Sequence, residues 1–473
     1  EYTVTGIGED AFYWCSDLKS VSLPSTITTI GAYAFYDCTS LTYFDIPESV
    51  TTIGAKAFMA CYGLKNITIP ASVKTIGSNT FADCKNLSAI NASSDNSNFS
   101  SKDGVLYNKD LTKIICVPGA ISGKFAIPTT VTSIENYAFY GCKSLTSIDI
   151  PEGLTTIKES AFEYCNGLTS VKLPSSITEI QESAFYGCEN LESINIPDGL
   201  TEIADYAFDD CSSLKNIEIP STVTRIGEYA FAHCYEFTDI TLPESITSIG
   251  ESAFYDCKNL ESINIPSGIT SISEDLFYDC SSLNNIKLHD KITAINDYAF
   301  YGCSSLTSIE IPSSVKTIGY KAFKDCAELK SIEIPASVSE IGEQAFYGCS
   351  YDLDIKISSE NPYISYENNI LFNKNMTELK YAIKDLIGSY DVPETVTSIG
   401  RNAFYGTKVT SVSIPAATKS IEYSAFYYCE KLTSINVDSD NTQYSSEDGV
   451  LYNKSKTKII RVPSAVTDPF TIL

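Results

Sequence analysis

The stretch Leu168-Thr-Ser-Val171-Lys-Leu173-Pro174-Ser-Ser-Ile177-Thr-Glu-Ile180-Gln-Glu-Ser-Ala184-Phe185-Tyr-Gly-Cys188-Glu-Asn, with Leu191 starting the same text again, decides how this chain folds. Val171 and Leu173 are two residues apart, the spacing of a strand with one face buried. Pro174 ends that strand, because it has no N–H to give to a ladder. Ala184, Phe185 and Cys188 fall at i, i+1 and i+4, a spacing that predicts one turn of helix. The unit is therefore read as a short strand, a corner and a helical turn.

Outward from this stretch the unit recurs. Phenylalanine stands at 23-residue intervals from Phe12 to Phe81 and again from Phe139 to Phe346, and it returns at Phe404 and Phe426 with one residue deleted between them. A fixed period of this size marks a stacked repeat. One unit alone cannot bury its apolar side. Stacked in register, its Leu, Ile, Phe and Cys positions become files through a common interior, and each unit touches only its neighbours. Length alone suggests about three domains; the repeat replaces that with one solenoid over residues 1–473.

The 23-residue spacing breaks twice, from Phe81 to Phe139 and from Phe346 to Phe404, each a gap of 58 residues, and a third interruption follows Phe426. The first reads Asp103-Gly104-Val105-Leu106-Tyr107-Asn108-Lys, then Thr112-Lys113-Ile114-Ile115; the third repeats it as Asp448-Gly449-Val450-Leu451-Tyr452-Asn453-Lys, then Thr457-Lys458-Ile459-Ile460. The second has Asn368-Asn369 in place of Asp-Gly. Both pairs suit a turn that needs positive φ, and Val-Leu-Tyr-Asn-Lys and Thr-Lys-Ile-Ile then read as the two strands of a β-hairpin. The expected order is repeats 1–90, insert module 91–128, repeats 129–357, insert module 358–393, repeats 394–435 and insert module 436–473, with each hairpin projecting from one side. The Asx-rich openings (Asp95-Asn96, Asp438, Asp440, Asn441) offer too few oxygens for calcium, which needs six to eight, and read as Asx turns.

A formal charge of −26 argues against nucleic acid and anionic membrane surfaces as partners. No run approaches the apolar length of a membrane span. Fifteen of the sixteen cysteines sit three residues after a repeat phenylalanine, and Thr407 takes that place once; Cys116 stands outside the series. One cysteine per unit at one phase reads as a file of reduced, buried thiols rather than as a disulfide framework. The only histidines, His233 and His289, lie in different repeats, and no phosphate loop or zinc spacing occurs. The expectation is no enzyme, no cofactor and no metal.

Residues 306–326 (Leu306-Thr-Ser-Ile309-Glu-Ile311-Pro312-Ser-Ser-Val315-Lys-Thr-Ile318-Gly319-Tyr-Lys-Ala322-Phe323-Lys-Asp-Cys326) reproduce the consensus without a gap. This pattern resembles the BspA-type leucine-rich repeat, related to the repeat of a treponemal protein, over nearly the whole chain. The resemblance implies an α/β leucine-rich-repeat solenoid of parallel short strands with helical turns, here in 23-residue repeats plus three β-hairpin insert modules. It further implies a place on the surface of gut or oral bacteria, or of mucosal protozoa, and adhesion to host matrix or to other cells.

Two faces are candidates for binding. The residue between the two inward aliphatics of each strand points out; down the central run it reads Asp149, Lys172, Asn195, Glu218, Thr241, Asn264, Lys287, Glu310 and Glu333. The residue after each repeat phenylalanine is tyrosine in ten of sixteen units, among them Tyr140, Tyr186, Tyr255, Tyr278 and Tyr301. Tyrosine offers contact area at low entropic cost, and the same residues also pack well on each other from coil to coil. The expected function is extracellular recognition of a protein or glycan ligand on a host or microbial surface. The alternatives are a rigid spacer displaying another domain and a glycan-binding module. The chain begins at Glu1 rather than Met and stops at Ile472-Leu473 in mid-module, so it reads as part of something longer. Its uncapped ends invite end-to-end self-association.

Overall fold

A computed structural model describes residues 3–465; the end of the third module, including the expected stop at Ile472-Leu473, lies outside the described residues. The chain forms two compact units, Glu1–Gly268 and Ile269–Leu473.

The ladder that recurs through both units is not the one the repeat suggested first. Two-residue strands at the Thr-Ile position pair in parallel, one repeat apart: Thr29–Ile30 with Thr52–Ile53, then with Thr75–Ile76. In the second unit Ala294–Ile295, Thr317–Ile318 and Glu340–Ile341 do the same. Ile177 and Ile180 are three apart in the repeat, which hides this strand from a search for alternation. The expected strand before the proline forms a second, intermittent parallel ladder. Ser144–Asp149 pairs with Ser170–Lys172, which pairs with Ser193–Ile194, and Ser331–Ile334 pairs with Asp354–Ile357.

The expected helical turn is absent: no helix occurs among the described residues. Positive φ angles prevent it, two in each unit from Phe12 to Phe404 and one in the unit of Phe426. Around Phe35 they fall on Tyr33 (φ 53°) and Asp37 (φ 56°), and around Phe185 on Ser183 (φ 55°) and Gly187 (φ 67°). A right-handed helix cannot pass through such residues. The segment forms successive tight turns in which alternate N–H groups face different ways. Tyr36 N donates within its own turn to Tyr33 O (3.0 Å), whereas Phe35 N and Asp37 N donate to Ala57 O and Met59 O of the next coil (2.8 and 2.9 Å). The spacing i, i+1, i+4 thus marks a stacked turn that hydrogen-bonds between coils.

Inside, the phenylalanines form the expected file. Ring centroids of Phe185 and Phe208, and of Phe208 and Phe231, lie 5.6 Å apart with planes at 5°; Phe300 and Phe323 in the second unit lie 5.2 Å apart. The cysteines are free and, except for exposed Cys15 and half-buried Cys116, buried. Their thiols do more than fill space. Cys61 Sγ donates to Phe35 O (3.1 Å) and Cys188 Sγ to Phe162 O (3.2 Å), each reaching the phenylalanine carbonyl of the preceding coil. Burial pushes the Cys188 thiol up to about 12, so it is not a nucleophile at neutral pH. Thr407 keeps the bonding capacity of the cysteine it replaces, but its Oγ1 donates to Phe404 O within its own coil (2.8 Å).

Each module is a three-stranded antiparallel sheet rather than a projecting two-stranded hairpin. In the first, Phe99–Lys102, Val105–Asn108 and Lys113–Cys116 pair in that order. The third strand then pairs in parallel with Ser133–Ile134 of the next coil, so the module is built into the wall. Val105, Leu106 and Tyr107 are buried. The turn has the expected positive φ at both positions in all three modules: Asp103-Gly104, Asn368-Asn369 and Asp448-Gly449.

Candidate ligand-recognition surfaces

Parallel register fixes the strand row. Asp149 stands beside Lys172, since Ile148 and Val171 pair with their side chains in the core. All nine residues of the row are exposed. Asp149, Lys172, Asn195, Glu218, Thr241 and Asn264 belong to the first unit, and Lys287, Glu310 and Glu333 to the second. They are not equivalent. Asn195 Oδ1 accepts from Leu173 N and its Nδ2 donates to Leu173 O (2.8 and 3.0 Å). Asn264 does the same to Leu242 (2.7 and 2.8 Å). These two amides stitch coils together where the ladder lapses. Asp149 pairs with Lys124 at 2.7 Å. Lys172, Glu218 and Thr241 in the first unit, and Lys287, Glu310 and Glu333 in the second, keep their side chains free for a partner.

On the turn edge the named tyrosines are half-buried rather than free. Coil spacing near 5 Å makes like rings neighbours. Tyr278 stacks on Tyr301 with centroids 4.4 Å apart. Tyr140 and Tyr186 each pack edge-on to Tyr164, at 5.6 and 5.3 Å. Tyr255 meets Tyr229 and His233. The i, i+3 pairs Tyr137/Tyr140 and Tyr298/Tyr301 touch as expected. Lysines cap the edge, with Lys324 Nζ 4.6 Å from the centre of the Tyr301 ring. Tyr347 is the exception: it occupies the outward position in sequence but is buried in the second unit's core.

His233 Nδ1 lies 2.8 Å from Asp209 Oδ1, a bond that raises the imidazole pKa. The adjacent Cys234 thiol turns inward to Phe208 O. Glu163 fills the tyrosine slot between Tyr140 and Tyr186. Burial there pushes its carboxyl up to about 7. A folded-state pKa above the unfolded value near 4.5 means that this group favours the fold below pH 4.5 and loses that contribution as pH rises through 7. Glu163→Gln is expected to leave stability nearly unchanged at pH 4.5 and to raise it by about 1–2 kcal/mol at pH 8, a figure reduced for partial solvation. Denaturant midpoints of both proteins at the two pH values check this.

Comparison with known proteins agrees with this architecture. The BspA type leucine rich repeat region matches residues 5–122, 119–238, 224–352, 270–387 and 379–469. A leucine-rich repeat protein from Bacteroides ovatus is 30% identical, with 76% of this chain and 88% of that one covered and a TM-score of 0.50. A leucine rich cell surface protein from Faecalibacterium prausnitzii is 27% identical over 82% and 83% of the two chains, with a TM-score of 0.36. The Treponema pallidum leucine rich repeat protein is 32% identical, covering 42% of this chain and 85% of its own, with a TM-score of 0.34. A search of curated proteins finds no match. With 23-residue coils, an in-register phenylalanine file and a family match that runs from residue 5 to residue 469, the chain belongs to the BspA-type leucine-rich repeat family.

Proposed function

We propose that this chain is an extracellular or cell-surface recognition protein without enzymatic activity, binding a host, microbial or matrix ligand through its exposed strand row. The observation that carries this reading is the contrast between inside and outside on one strand. Inward positions repeat Ile, Val or Leu, whereas the outward row changes from Lys172 to Glu218 to Thr241. A spacer needs the interior only; a varied outer row supplies specificity through placed charges. Membership in a family that includes surface proteins supports the location, and the formal charge of −26 supports a partner other than nucleic acid.

The test is binding of the purified chain to surfaces coated with fibronectin, collagen, laminin or mucin. The double change Lys172→Glu with Glu218→Lys keeps net charge and touches no core atom. It is expected to lower binding at least tenfold with an unchanged thermal midpoint. Equal binding by both proteins, or no binding to any coated surface, favours the spacer.

A further inference from the structure

The second unit holds a cleft of about 920 Å³ between the turn edge of the repeats and the second insert module. This is within the size range of small-ligand sites. Its inner wall carries a buried cation: Lys384 is 7% exposed. Its ammonium donates to Tyr351 O and Leu353 O (2.8 and 3.0 Å), and among the described residues no carboxylate forms an ion pair with it. Tyr347 and Tyr390, which also line the cleft, are buried with hydroxyls that have no hydrogen-bond partner among the described residues. A hydroxyl buried without a partner is destabilising, and an orphan of this kind calls for an explanation. At the rim the arrangement reverses: Tyr351 is 88% exposed and Ile387 61% exposed.

The first module shows that the fold does not need these groups. Counting back from the shared proline (Pro128 and Pro393), Gly119 stands where the second module has Lys384, Ala120 where it has Asp385, and Phe125 where it has Tyr390. A Cβ on Gly119 would lie 2.6 Å from Cys84 O, so at that place the first module has no room for any side chain. Phe125 packs edge-on to Phe139 and needs no partner for a hydroxyl. Relative to the first module, the second therefore exchanges an inert wall for an ammonium, a carboxylate and a phenol.

We propose that this cleft binds an uncharged oligosaccharide, with Tyr351 stacking on a sugar ring and the inner wall bonding its hydroxyls. Three lysines (Lys324, Lys384, Lys408) and three aspartates (Asp325, Asp385, Asp391) line it, so their charges cancel and select for no net charge. Such a wall offers donors and acceptors together, which is what hydroxyl groups require, since each both gives and accepts. An exposed aromatic rim suits the apolar face of a pyranose. This site is separate from the strand row and does not depend on it.

The experiment is a glycan array probed with the intact chain, followed by calorimetric titration of the best neutral oligosaccharide. Tyr351→Ala is at the surface and is expected to weaken binding at least tenfold with an unchanged thermal midpoint. Tyr390→Phe removes an orphan hydroxyl, so it should raise the midpoint of the empty protein and lower glycan affinity. Lys172→Glu with Glu218→Lys should leave glycan affinity unchanged, which separates this site from the strand row. Absence of binding across the array, selective binding of anionic glycans, or affinity unaltered by Tyr351→Ala overturns the proposal.

Discussion

Phe208→Ala is expected to lower the unfolding free energy of the first unit by about 3–5 kcal/mol, the usual cost of truncating a fully buried phenylalanine. The geometry places it at the costly end. The ring is sandwiched between Phe185 and Phe231, each 5.6 Å away and nearly parallel, so both neighbours lose a face of contact. The cavity cannot close by local relaxation, because the flanking backbone is held from coil to coil: Phe208 N donates to Ala230 O (3.0 Å) and Phe185 N to Ala207 O (3.0 Å). Cys234 Sγ, bonded to Phe208 O at 3.4 Å, borders the same space. Denaturant unfolding monitored by far-UV circular dichroism reads the loss. Because repeats couple mainly to their neighbours, the transition is also expected to broaden or split, with coils on either side of the cavity unfolding apart. Phe12→Ala is the control. Phe12 is only half-buried and stacks on one neighbour, Phe35, so its truncation should cost clearly less. Equal losses at both sites would mean that the file is not the continuous core described here.

The stacking and the file were legible in the sequence because a fixed period forces equivalent residues to meet. Phe185, Cys188, Ile194 and their equivalents needed nothing more than the spacing. The helical turn was misread for a physical reason. Ala184, Phe185 and Cys188 fall where a helix would place them, but Ser183 and Gly187 adopt positive φ, and residues as varied as Lys56, Tyr164 and Asp325 do so elsewhere. Residue type alone does not reveal a left-handed position that the neighbouring coil imposes. The Thr-Ile ladder was missed for a related reason, since two-residue strands leave no alternation to find. Of the candidate site, exposure of the strand row followed from register. That Asn195 and Asn264 are spent on Leu173 and Leu242 did not, because their partners lie 22 residues away in sequence. The cleft in the second unit has one sequence signal, visible only when modules are laid against each other: Lys384 and Tyr390 where Gly119 and Phe125 stand.

Asn96→Ala is expected to cost about 4–6 kcal/mol. The same residue type stands at Asn96, Asn361 and Asn441, fully buried in each module. Asn96 Nδ2 donates to Pro70 O and Val73 O of the preceding coil (2.7 and 3.0 Å), and its Oδ1 accepts from Asn98 N and Phe99 N of its own (both 2.8 Å). Asn441 repeats the set on Pro415, Thr418, Gln443 and Tyr444. Alanine strands the Val73 carbonyl and two N–H groups at once and leaves Pro70 O only its bond from Val73 N (3.3 Å); each group left buried without a partner costs about 1–3 kcal/mol, less whatever water recovers by entering. Asn96→Asp discriminates this account from simple loss of volume. The aspartate can still accept from Asn98 N and Phe99 N, but its second oxygen faces the carbonyls of Pro70 and Val73, one of which it can bond, and only as a protonated acid. Its folded-state pKa must then lie above the ordinary carboxylate value. The variant should be nearest to the parent protein at pH 4 and fall away as pH rises, while Asn96→Ala should show no such added slope. Unfolding midpoints of the three proteins between pH 4 and pH 8 decide it: parallel curves for Asp and Ala would mean that the amide fills space and does not clamp the module to the coil beneath it.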